Sequence, residues 1–162
     1  NIPELSRIID IGTGAGFPGI PVKILRPDID LTLLDSKKKN IDFLNSIVIL
    51  LGIKDIRIIN GRAEETARRE EYKGAYDFVF TKAVGSLKMI AMLTLPFLKK
   101  GGISAAFKGK PGDDEIAGSK DMIKKFCGEI KEILDIKVPF LDASRKIIML
   151  RKTACGAWEG NR

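Results

Sequence analysis

The sequence contains no histidine, which removes Ser-His and Cys-His nucleophile systems together with the commonest metal ligand. Its two cysteines, Cys127 and Cys155, lack paired-ligand spacing, and two distant thiols cannot supply the four ligands of a zinc centre. Chemistry without a metal is expected. An apolar run of membrane-spanning length is missing, and so is a secretory segment. These absences predict a cytoplasmic protein that stays out of the membrane. With no spacer, internal repeat or low-complexity stretch, the 162 residues read as one domain with a sizeable core.

Basic residues are what the chain has in excess. It carries 28 Lys+Arg against 21 Asp+Glu, a formal net charge of +7, which favours an anionic partner such as nucleic acid. A merely basic soluble protein would account for the charge equally well.

Short apolar runs at 7–11, 31–34, 56–59, 78–80 and 103–107 alternate with segments whose apolar residues recur at helical spacing. The clearest helix is predicted over 37–51, where Ile41, Leu44, Ile47, Val48 and Leu51 share a face and Gly52 ends the pattern. A second is predicted over 87–98, bent by Pro96, with Met89 and Met92 in the core. A third covers 113–127 and puts Cys127 on its apolar face. Near-continuous apolar strands between helices imply a parallel sheet covered on both faces, with ligand at the carboxyl ends of the strands. The ending differs. Segments 129–138 and 146–151 read as strands joined by "PFLDAS", too short for a helical crossover, so that pair should be antiparallel.

Four glycines, Gly12, Gly14, Gly16 and Gly19, lie in "IIDIGTGAGFPGIP" immediately after the first strand. Residues 14–19 match G-x-G-x-x-G, and Asp35 ends the next strand about twenty residues on, as a dinucleotide site requires. A glycine turn lets a ligand approach backbone N–H groups, and a carboxylate ending the second strand can accept both hydroxyls of a ribose. A tight turn without a ligand would rarely need four glycines. The pattern implies an adenosine-containing ligand. Asp10, just before the glycines, would repel a pyrophosphate but suits the cationic methionine part of S-adenosylmethionine. The antiparallel ending also favours a methyltransferase sheet over a dehydrogenase sheet. A nicotinamide-dependent oxidoreductase and a non-catalytic RNA-binding module remain as alternatives.

The strings "IIDIGTGAGFPGIPVKIL", "LTLLDSKKKNIDFL", "GRAEE", "YDFVFTKAVGSL", "FLKKGG", "AFKGK" with "DDE", and "LDASRKIIMLRK" resemble the bacterial small-subunit rRNA guanine-N7 methyltransferases, the glucose-inhibited division protein B family. The resemblance covers residues 8–152. It implies a Rossmann-like class I methyltransferase fold, an α/β domain with a mostly parallel seven-stranded sheet, an antiparallel last strand and helices on both faces. It further implies S-adenosylmethionine as donor and a guanine of small-subunit rRNA or a ribosomal precursor as acceptor, with no membrane or metal partner and a monomer favoured. The single methyltransferase domain would span 1–162, without the helical segment the family carries before the glycine loop, and with a tail over 153–162 of uncertain origin.

By the resemblance, Gly12, Gly14 and Gly16 line the methionine part of the cofactor, Asp10 lies near its amino group and Asp35 holds the ribose. Phe17 shapes the loop against the cofactor, and Ala63 and Glu64 match positions close to the adenine. Lys82 follows the fourth strand, bordering the cofactor where such enzymes place the acceptor. The family usually has arginine there, so this chain keeps the charge and loses the two-donor fork that could grip O6 and N7 of guanine together. Arg62 and Lys39 are the other residues expected to act on the base. Lys37 and Lys38 stand at a helix start, where the macrodipole disfavours cations; RNA phosphate or plain solvation explains them equally. Lys108 and Gly109 read either as substrate-side positioning residues or as a simple turn. Attack by N7, whose lone pair is already exposed, needs alignment more than proton removal. The lack of a strong base is consistent with that.

Overall fold

A computed structural model describes residues 2–109, 113–137 and 145–155. Seven strands form one sheet in the order β3-β2-β1-β4-β5-β7-β6. The chain runs β1 (Arg7–Ile11), α1 (Gly19–Leu25), β2 (Asp30–Asp35), α2 (Lys38–Leu50), β3 (Ile56–Asn60), α3 (Ala63–Thr66) and β4 (Tyr76–Lys82). It continues through α4 (Leu87–Thr94), β5 (Leu98–Lys108), α5 (Asp113–Lys125), β6 (Gly128–Ile136) and β7 (Arg145–Lys152). The first five strands pair in parallel, and β7 enters antiparallel between β5 and β6.

Helices cover both faces, as the near-continuous apolar strands require. On one face Ile20 of α1 and Ile41 and Leu44 of α2 pack on Ile8, Leu31, Leu33 and Phe80. On the other, residues of α3, α4 and α5 pack on Ile9, Val79, Ile148 and Leu150. Chain order reverses between β1 and β4, each leading to a helix on a different face. That opens a crevice at their carboxyl ends.

Several expectations on the helices need correction. Leu51 is the half-exposed residue ending α2 and does not share its buried stripe. The second helix stops at Thr94, and Pro96 sits in a 3-10 turn over Leu95–Phe97. Met89 and Met92 are exposed, at 46% and 39%. The buried residues of α4 are Leu87, Ile90, Ala91, Leu93 and Thr94, and at 100° per residue the methionines fall on the side opposite Leu87, Ile90, Ala91 and Thr94. Cys127 lies two residues past α5 at φ 56 and forms a disulfide with Cys155, fastening the chain after β7 to the α5–β6 turn. The expected strand end at Val138 and the "PFLDAS" connection lie outside the described residues, although the antiparallel pairing they implied is present.

Candidate active site

The crevice is built from the first glycine turn outward. Asp10, the fourth residue of β1, is fully buried. Its Oδ2 accepts hydrogen bonds from the Thr13 hydroxyl at 2.7 Å and from the Gly19 N–H at 2.9 Å. The turn and the start of α1 are thereby tied to the strand. Asp10 Oδ1 has no partner among the described residues. Burial pushes the carboxyl up to about 6, against the Thr13 and Gly19 hydrogen bonds and the positive charge of Lys82, with the Asp35 charge adding to the rise.

Gly19 shows why the third glycine of the fingerprint is there. A Cβ on it would lie 2.7 Å from Leu33 Cδ2 and 2.9 Å from Asp10 Oδ2, so only a glycine lets α1 start this close to the sheet. Gly14 serves a different need. Its φ is +60, a Cβ there would meet nothing within 4 Å, and its N–H donates to Asp35 Oδ2 at 2.9 Å. The space beside this backbone is thus left open.

Asp35 closes β2. Besides Gly14 it receives the Lys37 N–H on Oδ1 at 2.8 Å, placing its negative charge at the amino end of α2, where the macrodipole favours it. Each carboxylate oxygen keeps lone-pair capacity for a further donor. A cleft of ≈170 Å³ opens beside it, lined by Gly12, Asp35, Arg62, Ala63, Glu64 and Val84 among others. Ala63 is buried and Glu64 exposed at the start of α3, which Arg62 precedes. Gly12, Asp35, Ala63 and Glu64 therefore line one crevice, Gly14 is tied to it through Asp35, and Asp10 anchors the same glycine turn from within the core. Phe17 is 53% exposed at the tip of the same loop.

Lys82, Arg62 and Lys39 are not gathered in one place. Lys82 ends β4 and lines a second cavity with Ala83, Phe107 and Arg145, whereas Arg62 lines the first cleft. Lys39 is exposed on the first turn of α2 and lines neither. Lys38 beside it pairs with Asp42 at 2.7 Å. Lys108 acts on the backbone: its Nζ donates to the Gly85 carbonyl and to Glu115 Oε1, both at 2.8 Å, and Glu115 in turn accepts the Leu87 N–H at the start of α4. The loop following Lys82 is held from both ends. Sequence reasoning missed Val84 in the first cleft and Arg145 in the second. Val84 lies two residues past β4 and Arg145 is the first residue of β7, and at such strand ends periodicity carries no sign of facing a ligand.

A family model described as "GidB: rRNA small subunit methyltransferase G" matches residues 2–148. The chain belongs to this family. Ribosomal RNA small subunit methyltransferase G of Clostridium botulinum (strain Loch Maree / Type A3) is 42% identical over 151 residues, covering 93% of this chain and 63% of the relative. The same figures hold for the protein of that name from Thermoanaerobacter pseudethanolicus. The chain thus spans just under two thirds of the length of these curated GidB relatives. A precorrin-6y C5,15-methyltransferase of Geobacter metallireducens superposes with a TM-score of 0.68 at 16% identity, over 94% of this chain and 82% of that one. That likeness shows the fold of this chain, a Rossmann-like methyltransferase sheet.

The residues of the crevice fit S-adenosylmethionine. A buried carboxylate oxygen without a partner, Asp10 Oδ1, suits a cationic amino group better than a pyrophosphate. A strand-end carboxylate with open lone pairs, Asp35, suits a ribose diol. Among the described residues no cluster of His, Cys, Asp or Glu could hold a metal ion, and no helix is long and apolar enough to cross a membrane.

Proposed function

We propose that this chain is the methyltransferase domain of an enzyme that methylates N7 of a guanine in bacterial small-subunit rRNA, in the cytoplasm, with S-adenosylmethionine as donor. The observation that carries the reading is the crevice at the β1/β4 reversal, walled by Asp35 and next to a glycine turn anchored on the buried Asp10, in a chain of the GidB family. When bound, the cofactor supplies an electrophilic methyl group on sulfur. Asp10 and the backbone of Gly12 and Gly14 hold its amino-acid end, Asp35 takes both ribose hydroxyls, and Ala63 and Glu64 border the adenine. Phe17 closes over the loop side.

On the acceptor side the chain has to orient a base whose N7 lone pair is already free, so alignment is the main task. Lys82 donates to O6 as a point charge, without the second donor that an arginine's fork would supply, and Arg62 and Lys39, which lie outside the Lys82 cavity, are left to meet the RNA backbone. Lys82→Ala is expected to slow methyl transfer at least tenfold with cofactor affinity held within about twofold. Lys82→Arg is expected to keep or raise the rate by restoring the fork. Single-turnover transfer to small-subunit RNA, followed by mapping of the modified atom, checks both. An alanine variant as fast as the parent removes Lys82 from the acceptor site, and a methyl group on any atom but guanine N7 overturns the reaction assignment.

A further inference from the structure

Two cavities flank the segment that follows β4, and they differ in size and chemistry. The Asp35 cleft measures ≈170 Å³. The second measures ≈610 Å³. Val84 lines the first, and Lys82 and Ala83 line the second. Ala83 takes a left-handed backbone at φ 58, which turns the chain sharply between the two. The Asp35 cleft and the larger chamber therefore adjoin at this turn.

The chamber is apolar on one side and cationic at its rim. Lys82, Phe107 and Ile147 are cross-strand neighbours on β4, β5 and β7, so their side chains leave the same face of the sheet. Two residues along β7, Arg145 shares that face and pairs in register with Ile136 of β6. Phe80 meets the Phe107 ring edge-on, with centroids 6.4 Å apart and planes at 84°. Lys146 is committed to Asp135 at 2.7 Å. Arg145 is exposed and joins no ion pair among the described residues.

We propose that this chamber takes the acceptor purine as a single unstacked nucleotide of RNA, its base lying on Phe107 and Ile147 and its flanking phosphate on Arg145. The inference rests on the RNA-methylation reading above and adds the subsite that receives the base. N7 of a base stacked in an RNA helix faces the deep, narrow major groove, so the base leaves its stack and the chain replaces the lost stacking with an aromatic platform. The antiparallel insertion of β7 is what brings Arg145 and Ile147 beside Phe107.

Guanosine 5′-monophosphate, titrated into the chain with S-adenosylhomocysteine present and followed through isoleucine methyl NMR signals, tests the assignment. Ile136 and Ile147 are expected to shift while Ile29, at the opposite end of the sheet, stays still. Phe107→Leu, which keeps apolar packing against Phe80, and Arg145→Gln, at an exposed site, are each expected to weaken the nucleotide about tenfold. S-adenosylhomocysteine affinity should remain within twofold in both, and cytidine 5′-monophosphate should bind more weakly than the purine. Absence of nucleotide binding, shifts confined to other residues, or unchanged affinity in both variants overturns the subsite. Failure of the parent to bind S-adenosylhomocysteine overturns the functional reading itself, whatever the nucleotide does.

Discussion

Asp10 is sealed from solvent with one carboxylate oxygen bonded twice and the other not at all, and its titration follows from that. Its carboxyl is pushed up to about 6 by burial, whereas an unfolded chain holds it near the ordinary value of about 3.9. Between these values the folded state binds more protons, so this group makes stability fall as pH rises from about 4 to about 6, by up to about 3 kcal/mol. Asp10→Asn is expected to remove that component, visible as the difference between parent and variant melting temperatures across pH 4–8. If the two curves run parallel, Asp10 is not the group titrating there. A ligand cation pairs only with the ionised form, so affinity for S-adenosylmethionine is expected to weaken as pH falls through about 6 in the parent and not in the variant. Asp35 differs. Its oxygens accept backbone N–H groups from Gly14 and Lys37, which makes the proposed ribose acceptor also the clasp of its own loop.

At the scale of elements, the glycine turn depends on how closely α1 approaches β1 and β2. Gly19→Ala would place a Cβ 2.7 Å from Leu33 Cδ2 and 2.9 Å from Asp10 Oδ2, both in packed surroundings. The expected cost is about 1–3 kcal/mol of stability by overpacking, read as a lowered urea midpoint with unchanged slope. An unchanged midpoint would show that the turn moves aside freely. Strands were legible because burial on both faces leaves short continuous apolar runs, and β1 was placed at both ends without error. The crevice residues were legible because glycines and strand-end carboxylates occupy fixed places in a doubly wound sheet. Other features were not readable. The buried stripe of α4 is chosen by its packing on α5 and the sheet, so Met89 and Met92 fell on the wrong side. Cys127 and Cys155 stand 28 positions apart in the sequence, and only the antiparallel return of β7 brings them together. The short loop before β7 implied antiparallel pairing with β6, but insertion beside β5 is a tertiary choice, and with it went Arg145.

Across the whole molecule the excess of seven positive charges and the scatter of Lys82, Arg62 and Lys39 around the carboxyl end of the sheet imply a broad contact with an anionic strand. RNA affinity is expected to fall as salt rises, with log affinity linear in log salt concentration. Reversing the charges of Lys38 and Lys39 should flatten that slope by about 1–2, since each phosphate contact contributes about 0.7–0.9. An unchanged slope would return these lysines to a solvated helix end, where Lys38 already has Asp42. The account as a whole depends on the crevice being a site for S-adenosylmethionine. Calorimetric titration of the chain with S-adenosylmethionine and with NAD, repeated on Asp35→Ala with folding verified by melting, tests this most directly. The expected result is one-to-one binding of S-adenosylmethionine, weakened about 10- to 100-fold in the variant by loss of a charged acceptor, and no measurable NAD binding. Tight NAD binding by the parent, or equal S-adenosylmethionine affinity in parent and variant, would contradict it.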